Sequence, residues 1–217
     1  MEANVSSLRI QSANPMHIVL LADNSGSMAG PPAAQITEGV QNWIYELQMK
    51  TRGTRPYFSF SLVLFGSSSE IVADAVGIND VDPAAIVIDG QGGTTNLTLA
   101  LVDAAGLVQR HAQAHHCPPF VFLYTDGNPD DVNAALAAAD RLKRTPLPCG
   151  AARLVTLGFG TVNDQLLQRL ATSPEFYKRV SNSEELSRLL PAIGTPTQKA
   201  GGGTVIEFER QIAETNI

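Results

Sequence analysis

The chain lacks the features that mark several large classes of protein. Its 217 residues include only two cysteines, Cys117 and Cys149, with no C-x-x-C pair. Two reduced thiols are the simplest interpretation, although one disulfide is conceivable. No run of lysine or arginine stands out and the net charge is −6, which argues against a surface that tracks nucleic-acid phosphates. The apolar runs have the length of strands, far short of a membrane span.

The N-terminus also lacks a basic start followed by a long apolar stretch, which argues against a secretory signal if Met1 is the native start. Together with the two cysteines, this predicts a cytoplasmic protein that does not insert into membranes. Residues 1–15 are interpreted as an extension, residues 16–193 as one domain, and residues 194–217 as a linker and tail. Within the tail, Thr204–Glu209 alternates like a strand that adds to a sheet edge, in its own molecule or a neighbour's; a frayed end is the alternative.

Apolar segments of two periodicities alternate along the domain. Strand-like runs include Met16–Ala22, Tyr57–Phe65, Phe120–Tyr124 and Arg153–Phe159, and stretches with helical spacing separate most of them. This alternation predicts an α/β fold, a Rossmann-like doubly wound sheet that is mostly parallel, with helices on both faces. The shorter run Ile71–Val76 predicts an antiparallel edge strand. In such sheets, ligands bind outside the carboxyl ends of the strands.

Oxygen-bearing side chains follow the first buried strand directly. Asp23, Ser25 and Ser27 are spaced two residues apart, so that in a loop they can turn towards one point. One carboxylate and two hydroxyls are hard donors that suit a small divalent cation such as Mg²⁺. Two further segments, Gly92-Gly93-Thr94 and Thr125-Asp126-Gly127, lie in a loop between predicted elements and at the end of a predicted strand. All three segments are therefore expected at one edge of the sheet.

These three segments, in this order, resemble the metal-ion-dependent adhesion site of von Willebrand factor A domains. The Gly-Gly-Thr-Thr turn and the Thr-Asp-Gly-x-Pro run are most similar to bacterial members of the tellurium-resistance-associated type. The resemblance implies a non-catalytic module that captures an acidic residue of a partner protein through Mg²⁺, with Mn²⁺ or Ca²⁺ as alternatives. It also implies a bacterial stress-response or signalling complex as the setting.

Carried over residue by residue, the resemblance implies a metal site and a surrounding rim. Ser25 and Ser27 would bind the ion directly, and Asp23 and Asp126 would hold ordered waters or bind it themselves. Thr94 would bind directly or through water, and it is preferred over Thr95 because it follows the glycine pair. The rim that contacts the partner would comprise Asn24, Met28, Gly93, Thr95 and Asn128.

Other interpretations of these residues were weighed. The serines could form an ordinary turn. Asn128 is interpreted as the N-cap of a helix that starts at Pro129, and Asp130 and Asp131 as first-turn acids of that helix rather than as ligands. The second functional hypothesis is a metal-dependent phosphoester hydrolase on a Rossmann-like fold. It is disfavoured because no P-loop lysine, serine-hydrolase elbow or second aspartate after Asp23 is present.

Histidine is concentrated after the helix that precedes Phe120. His111, His115 and His116 precede Cys117, and the first two have the i, i+4 spacing of some zinc sites. Because no carboxylate completes the set, an exposed helix end is the preferred interpretation.

Overall fold

The fold is taken from a computed structural model that describes residues 16–51, 58–115, 117–182, 185, 209–210 and 212–214. Its six strands, in chain order, are Met16–Asp23 (β1), Phe58–Phe65 (β2), Ser69–Gly77 (β3), Phe120–Thr125 (β4), Arg153–Phe159 (β5) and Tyr177–Val180 (β6). The four α-helices are Pro31–Thr51 (α1), Leu97–Arg110 (α2), Val132–Arg144 (α3) and Asp164–Leu170 (α4). None of these helices is both long enough and apolar enough to cross a membrane.

The six strands form one sheet in the order β3-β2-β1-β4-β5-β6. All neighbours are parallel except β2 and β3, which form an antiparallel hairpin at the edge. The predicted α/β architecture with one antiparallel edge strand is therefore confirmed. Strand β1 lies between β2 and β4, and all eight of its residues are buried, as a strand covered on both faces should be.

The two faces of the sheet carry separate apolar cores. One side of β1, β2 and β4 packs against the apolar stripe of α1, which includes Ile36, Val40 and Trp43. The other side packs against α2, α3 and α4 through residues such as Leu101, Ala139 and Leu167. Coverage of both faces leaves the loops at the strand ends and the edge strand β3 as the accessible parts of the sheet.

The C-terminal residues that the structure describes are helical and contact the domain. Ile212 is 0% exposed and belongs to the core on the α1 side of the sheet. Glu209 forms an ion pair with Arg153, and the carbonyl of Ala213 accepts a hydrogen bond from Lys178 Nζ at 3.0 Å. The strand prediction for Thr204–Glu209 is wrong at Glu209, and its other residues lie outside the described ones. Self-association through the tail stays a prediction.

The start of α3 also differs from the prediction. The helix begins at Val132, and its N-cap is Asp131, which accepts a hydrogen bond from the amide of Ala134 at 2.9 Å. Asn128 and Pro129 are not part of the helix. An aspartate is as good an N-cap as an asparagine, so the local pattern contained two competing caps. The later position leaves residues 126–131 as a loop at the edge of the sheet.

The histidines predicted to lie at an exposed helix end instead form a cluster with His17, near the start of β1. His115 is buried and stacks on His17 at 5.0 Å between ring centroids, and His111 meets His17 edge-on at 5.6 Å. The hydroxyls of Ser61 and Ser59 hydrogen-bond His17 Nε2 and His115 Nε2. His116 lies outside the described residues. In the part of the chain described, no three His, Cys, Asp or Glu side chains are placed to hold a metal ion.

Burial of His17 and His115 makes the stability of the fold depend on pH. His17 is 1% exposed, and desolvation, assisted by the nearby imidazoles, lowers its pKa from 6.5 to about 3. Desolvation also lowers the pKa of His115. Below pH 6.5 the unfolded chain therefore binds a proton that folded His17 does not, and folding becomes less favourable as the pH falls towards 3.

We predict that His17→Asn makes the stability of the protein less sensitive to acid. Between pH 6 and 4, the free energy of unfolding of the wild type should fall about 1.4 kcal/mol per pH unit more steeply than that of the variant. The reason is that unfolding of the wild type allows His17 to bind one proton, and the variant has no such group at position 17. Urea denaturation at several pH values measures both slopes. Equal slopes would show that His17 is not the group that titrates.

Candidate metal-ion site

Three loops meet at the carboxyl ends of the central strands. The first follows β1, the second precedes α2, and the third follows β4. Because β1 and β4 are parallel neighbours in register, with Ala22 opposite Tyr124, their ends deliver Asp23 and Thr125 to the same edge. This arrangement brings Asp23, Ser25, Ser27 and Asp126 into one connected group.

Asp23 connects the first and third loops from a buried position. Its side chain is 0% exposed. One carboxylate oxygen accepts the amide hydrogen of Ser25 at 2.9 Å, and the other accepts the hydroxyl of Thr125. Desolvation raises the pKa of Asp23, and the nearby Asp126 carboxylate raises it further against the opposing hydrogen bonds. A cation beside Asp23 would favour its charged form.

The two serine hydroxyls and Asp126 form a chain of oxygen atoms. Ser25 Oγ and Ser27 Oγ are 3.1 Å apart, and Ser27 donates a hydrogen bond to Asp126 Oδ1 at 2.8 Å. In octahedral Mg²⁺ sites, ligands at about 2.0–2.1 Å and at right angles lie about 2.9 Å from each other. The spacing of these oxygens therefore fits neighbouring corners of such an octahedron.

The first two loops are held together through their backbones. Gly26 N donates to the carbonyl of Gly93, and Gly92 N donates to that of Asn24, both at 2.7 Å. The side-chain oxygen of Asn24 accepts the amides of Asp89 and Gly90 at 2.9 and 2.8 Å. Asn24 thus acts as a connector between loops.

Glycine is required where the loop after β2 meets the second loop. A Cβ on Gly66 would lie 2.2 Å from the carbonyl oxygen of Gly92, and a Cβ on Gly92 would lie 2.7 Å from that of Asn24. Neither distance is compatible with a side chain. The glycines allow three backbone segments to approach closely, which fixes the position of the threonines that follow.

The two threonines of the second loop have different surroundings. Thr94 is exposed, and its hydroxyl donates to Asp130 Oδ2 at 2.7 Å and lies 3.3 Å from Ser67 Oγ. Thr95 is 8% exposed. A Cβ built on Gly127 would lie 3.5 Å from Thr95 Oγ1 and 3.8 Å from Ser27 Oγ, so both hydroxyls lie next to Gly127.

The family of the chain follows from a comparison with family models. The model of the von Willebrand factor type A domain matches residues 17–192. The chain belongs to this family. The predicted family is therefore confirmed, and the three loops of this VWA domain are those in which the family's adhesion-site motif was recognised. The particular similarity to tellurium-resistance-associated members stays a prediction.

Individual proteins similar to this VWA domain have diverse origins. Inter-alpha-trypsin inhibitor heavy chain H4 from Sus scrofa is 28% identical over 159 residues, and the match covers 70% of this chain but only 16% of that protein. The pilus adhesin SpaC from Lactobacillus rhamnosus GG superposes with a TM-score of 0.68 at 16% identity, over 82% of this chain and 30% of SpaC. The present chain thus spans a small part of each.

A third similar structure contains a metal. Proximal thread matrix protein 1 from the mussel byssus, with zinc in its adhesion-site motif, superposes with a TM-score of 0.59 at 18% identity, over 83% of this chain and 47% of that protein. The motif in that protein therefore binds a divalent ion.

Two predicted rim residues are not available to a partner. Met28 is 0% exposed and packs in the core on the α1 side of the sheet, and the side chain of Thr95 is buried. Met28 is placed inside because it ends a one-turn 3-10 helix, Gly26–Met28, that turns its side chain away from the loop. Gly93 and Asn128 are exposed, and Asn24 is half-buried.

Two residues of this edge were missed from the sequence. Asp130 was interpreted as a helix acid, yet it accepts hydrogen bonds from Thr94 and from the amide of Thr95. Ser67, in the turn between β2 and β3, accepts the amide of Thr94 at 2.9 Å. Asp130 lies four residues after Asp126, and this proximity along the chain was a usable signal. Ser67 carried no signal, because serine is common in turns.

We predict that Gly66→Ala destabilises the site, because the new methyl group must push the second loop away from the first. The free energy of unfolding should fall by about 1–3 kcal/mol, the usual cost of overpacking. The control is Gly106→Ala in α2, where no atom lies within 4 Å of the added Cβ. That change should stabilise the helix by about 0.5–1 kcal/mol. Urea denaturation in a chelator measures both, and equal effects would refute the close approach.

Proposed function

We propose that this VWA domain is a non-catalytic protein-binding module that captures an acidic side chain of a partner through a divalent cation, Mg²⁺ in the first instance. The observation that carries the proposal is the pair of serine hydroxyls 3.1 Å apart, with Ser27 bound to Asp126. Ser25, Ser27, Asp23, Asp126 and one threonine of the second loop are the proposed donors, either direct or through water.

The chemistry of the donors supports binding over hydrolysis. Asp23 is buried, and each of its two carboxylate oxygens accepts one hydrogen bond: one from the amide of Ser25 and the other from the hydroxyl of Thr125. Held in this way it is suited to orienting a ligand loop rather than to attacking a substrate. The other proposed metal ligands include neutral hydroxyls. A bound cation would therefore keep much of its charge and would offer an open coordination position to a carboxylate of the partner.

The alternative of a phosphoester hydrolase makes a different prediction about turnover. Such an enzyme would hydrolyse phosphate esters when supplied with Mg²⁺, whereas a binding module would not. A cytoplasmic location, which the sequence predicts, and a role in a bacterial stress-response or signalling complex, which the resemblance implies, are part of the proposal.

We predict that the wild-type protein binds Mg²⁺ or Mn²⁺ with one site and that Ser25→Ala weakens this binding by at least about tenfold, because a direct ligand is removed. Isothermal titration calorimetry measures the affinity. The matched control is Ser181→Ala, since Ser181 is exposed after β6 and outside the three loops. Equal affinity in Ser25→Ala and wild type would place the ion elsewhere, and the absence of binding in the wild type would refute the metal site.

Capture of a partner tests the second half of the proposal. Proteins retained from a lysate of the source cell in Mg²⁺ should be released by a chelator and lost with Ser25→Ala or Asp23→Ala. Retention that is equal in all of these conditions would contradict an ion bridge, even if the ion itself binds.

A further inference from the structure

The hydrogen bonds around the second loop distinguish its two threonines. We infer that Asp130 is a positioning residue which, with Ser67, holds the Thr94 hydroxyl away from the metal site, so that Thr95 supplies the hydroxyl of this loop. This inference rests on the proposed function, since it concerns the same site. It replaces the preference for Thr94 that its place after the glycine pair suggested.

Asp130 forms two hydrogen bonds with the backbone of Thr95, one through its carboxylate and one through its amide. Asp130 Oδ1 accepts the amide of Thr95 at 3.2 Å, and the amide of Asp130 donates to the carbonyl of Thr95 at 2.9 Å. These two bonds tie the second loop to the third loop at one residue. They fix the backbone of Thr95 near Gly127. A Cβ built on Gly127 would lie 3.5 Å from Thr95 Oγ1 and 3.8 Å from Ser27 Oγ, so both hydroxyls border the residue that follows Asp126.

Thr94 is held by Asp130 and Ser67. Its hydroxyl donates to Asp130 Oδ2 at 2.7 Å, and its amide donates to Ser67 Oγ at 2.9 Å. The remaining carboxylate oxygen of Asp130 is thus used to hold Thr94 while the first oxygen holds Thr95. For Thr94 to bind an ion beside Ser27, this charged hydrogen bond would have to break, and bonds to a carboxylate are stronger than those between neutral groups.

Asp131 leaves Asp130 available for this task. Because Asp131 caps α3 through the amide of Ala134, the helix does not need the carboxylate of Asp130 at its N-terminus. Two adjacent acids therefore do different things: Asp131 ends the loop, and Asp130 joins it to the second loop. Their proximity also provides a control, because both carry the same charge close to the site.

The experiment compares four variants by calorimetric titration with Mg²⁺ and Mn²⁺ and by thermal unfolding in a chelator. The dissociation constant for the metal ion should be at least tenfold higher in Thr95→Val than in Thr94→Val. Asp130→Ala should weaken binding by about tenfold, whereas Asp131→Ala should lower the unfolding temperature but change the affinity less than about threefold. Asp130→Asn, which keeps an acceptor of the same shape, should recover part of the affinity lost in Asp130→Ala.

Several outcomes would overturn the inference without touching the proposed function. If the wild type binds the ion and Thr94→Val is the more damaging change, Thr94 is the ligand. If Asp130→Ala and Asp131→Ala weaken binding equally, the effect is one of charge and not of position. If Asp130→Asn binds no better than Asp130→Ala, hydrogen bonding by residue 130 does not position the loop. A wild type that binds no divalent ion would instead refute the proposed function itself.

Discussion

The carboxylate of Asp23 is buried at the end of the central strand, and the loops of the candidate site are arranged around it. A buried carboxylate is costly unless its oxygens are satisfied, and here the amide of Ser25 and the hydroxyl of Thr125 satisfy both. These two bonds fix the first turn after β1 and tie it to the end of β4. The positions of Ser25, Ser27 and Asp126 follow from that constraint, so the geometry of the site is set from inside the sheet.

Close backbone approach is the second requirement of the site. The loops after β1 and β2 and the glycine-rich loop share hydrogen bonds such as Gly26 N to Gly93 O and Ser67 N to Gly92 O. Since the glycines leave no side chains in the way, the backbones of these polar loops approach each other closely. The fixed backbone then presents hydroxyls in a set arrangement without ordering them anew when a ligand binds.

The two ends of the sheet carry different titratable groups. The candidate site lies at the carboxyl ends of the strands and brings together the carboxylates of Asp23 and Asp126. His17, near the start of β1, lies with His111 and His115 at the other end, where burial keeps His17 neutral. A cation is therefore favoured at the first end, whereas protonation at the second opposes folding.

Much of the fold could be predicted from local sequence. The alternating periodicities determined the strands and helices and the parallel sheet, and the polar residues after β1 and β4 determined where a site would lie, because parallel strands bring their carboxyl ends to one edge. The three segments also determined the family. These features are local or follow from general rules of connection, so they needed no knowledge of side-chain packing.

Only the tertiary structure decided how individual side chains are used. It placed Met28 in the core, moved the helix cap from Asn128 to Asp131, buried His115 against His17, and bound Asp130 to both Thr94 and Thr95. Each of these outcomes depends on partners that are distant along the chain or on a competition between two equally suitable neighbours. Residue type and spacing determine which groups reach the edge of the sheet, whereas contacts across loops determine which partner each side chain binds.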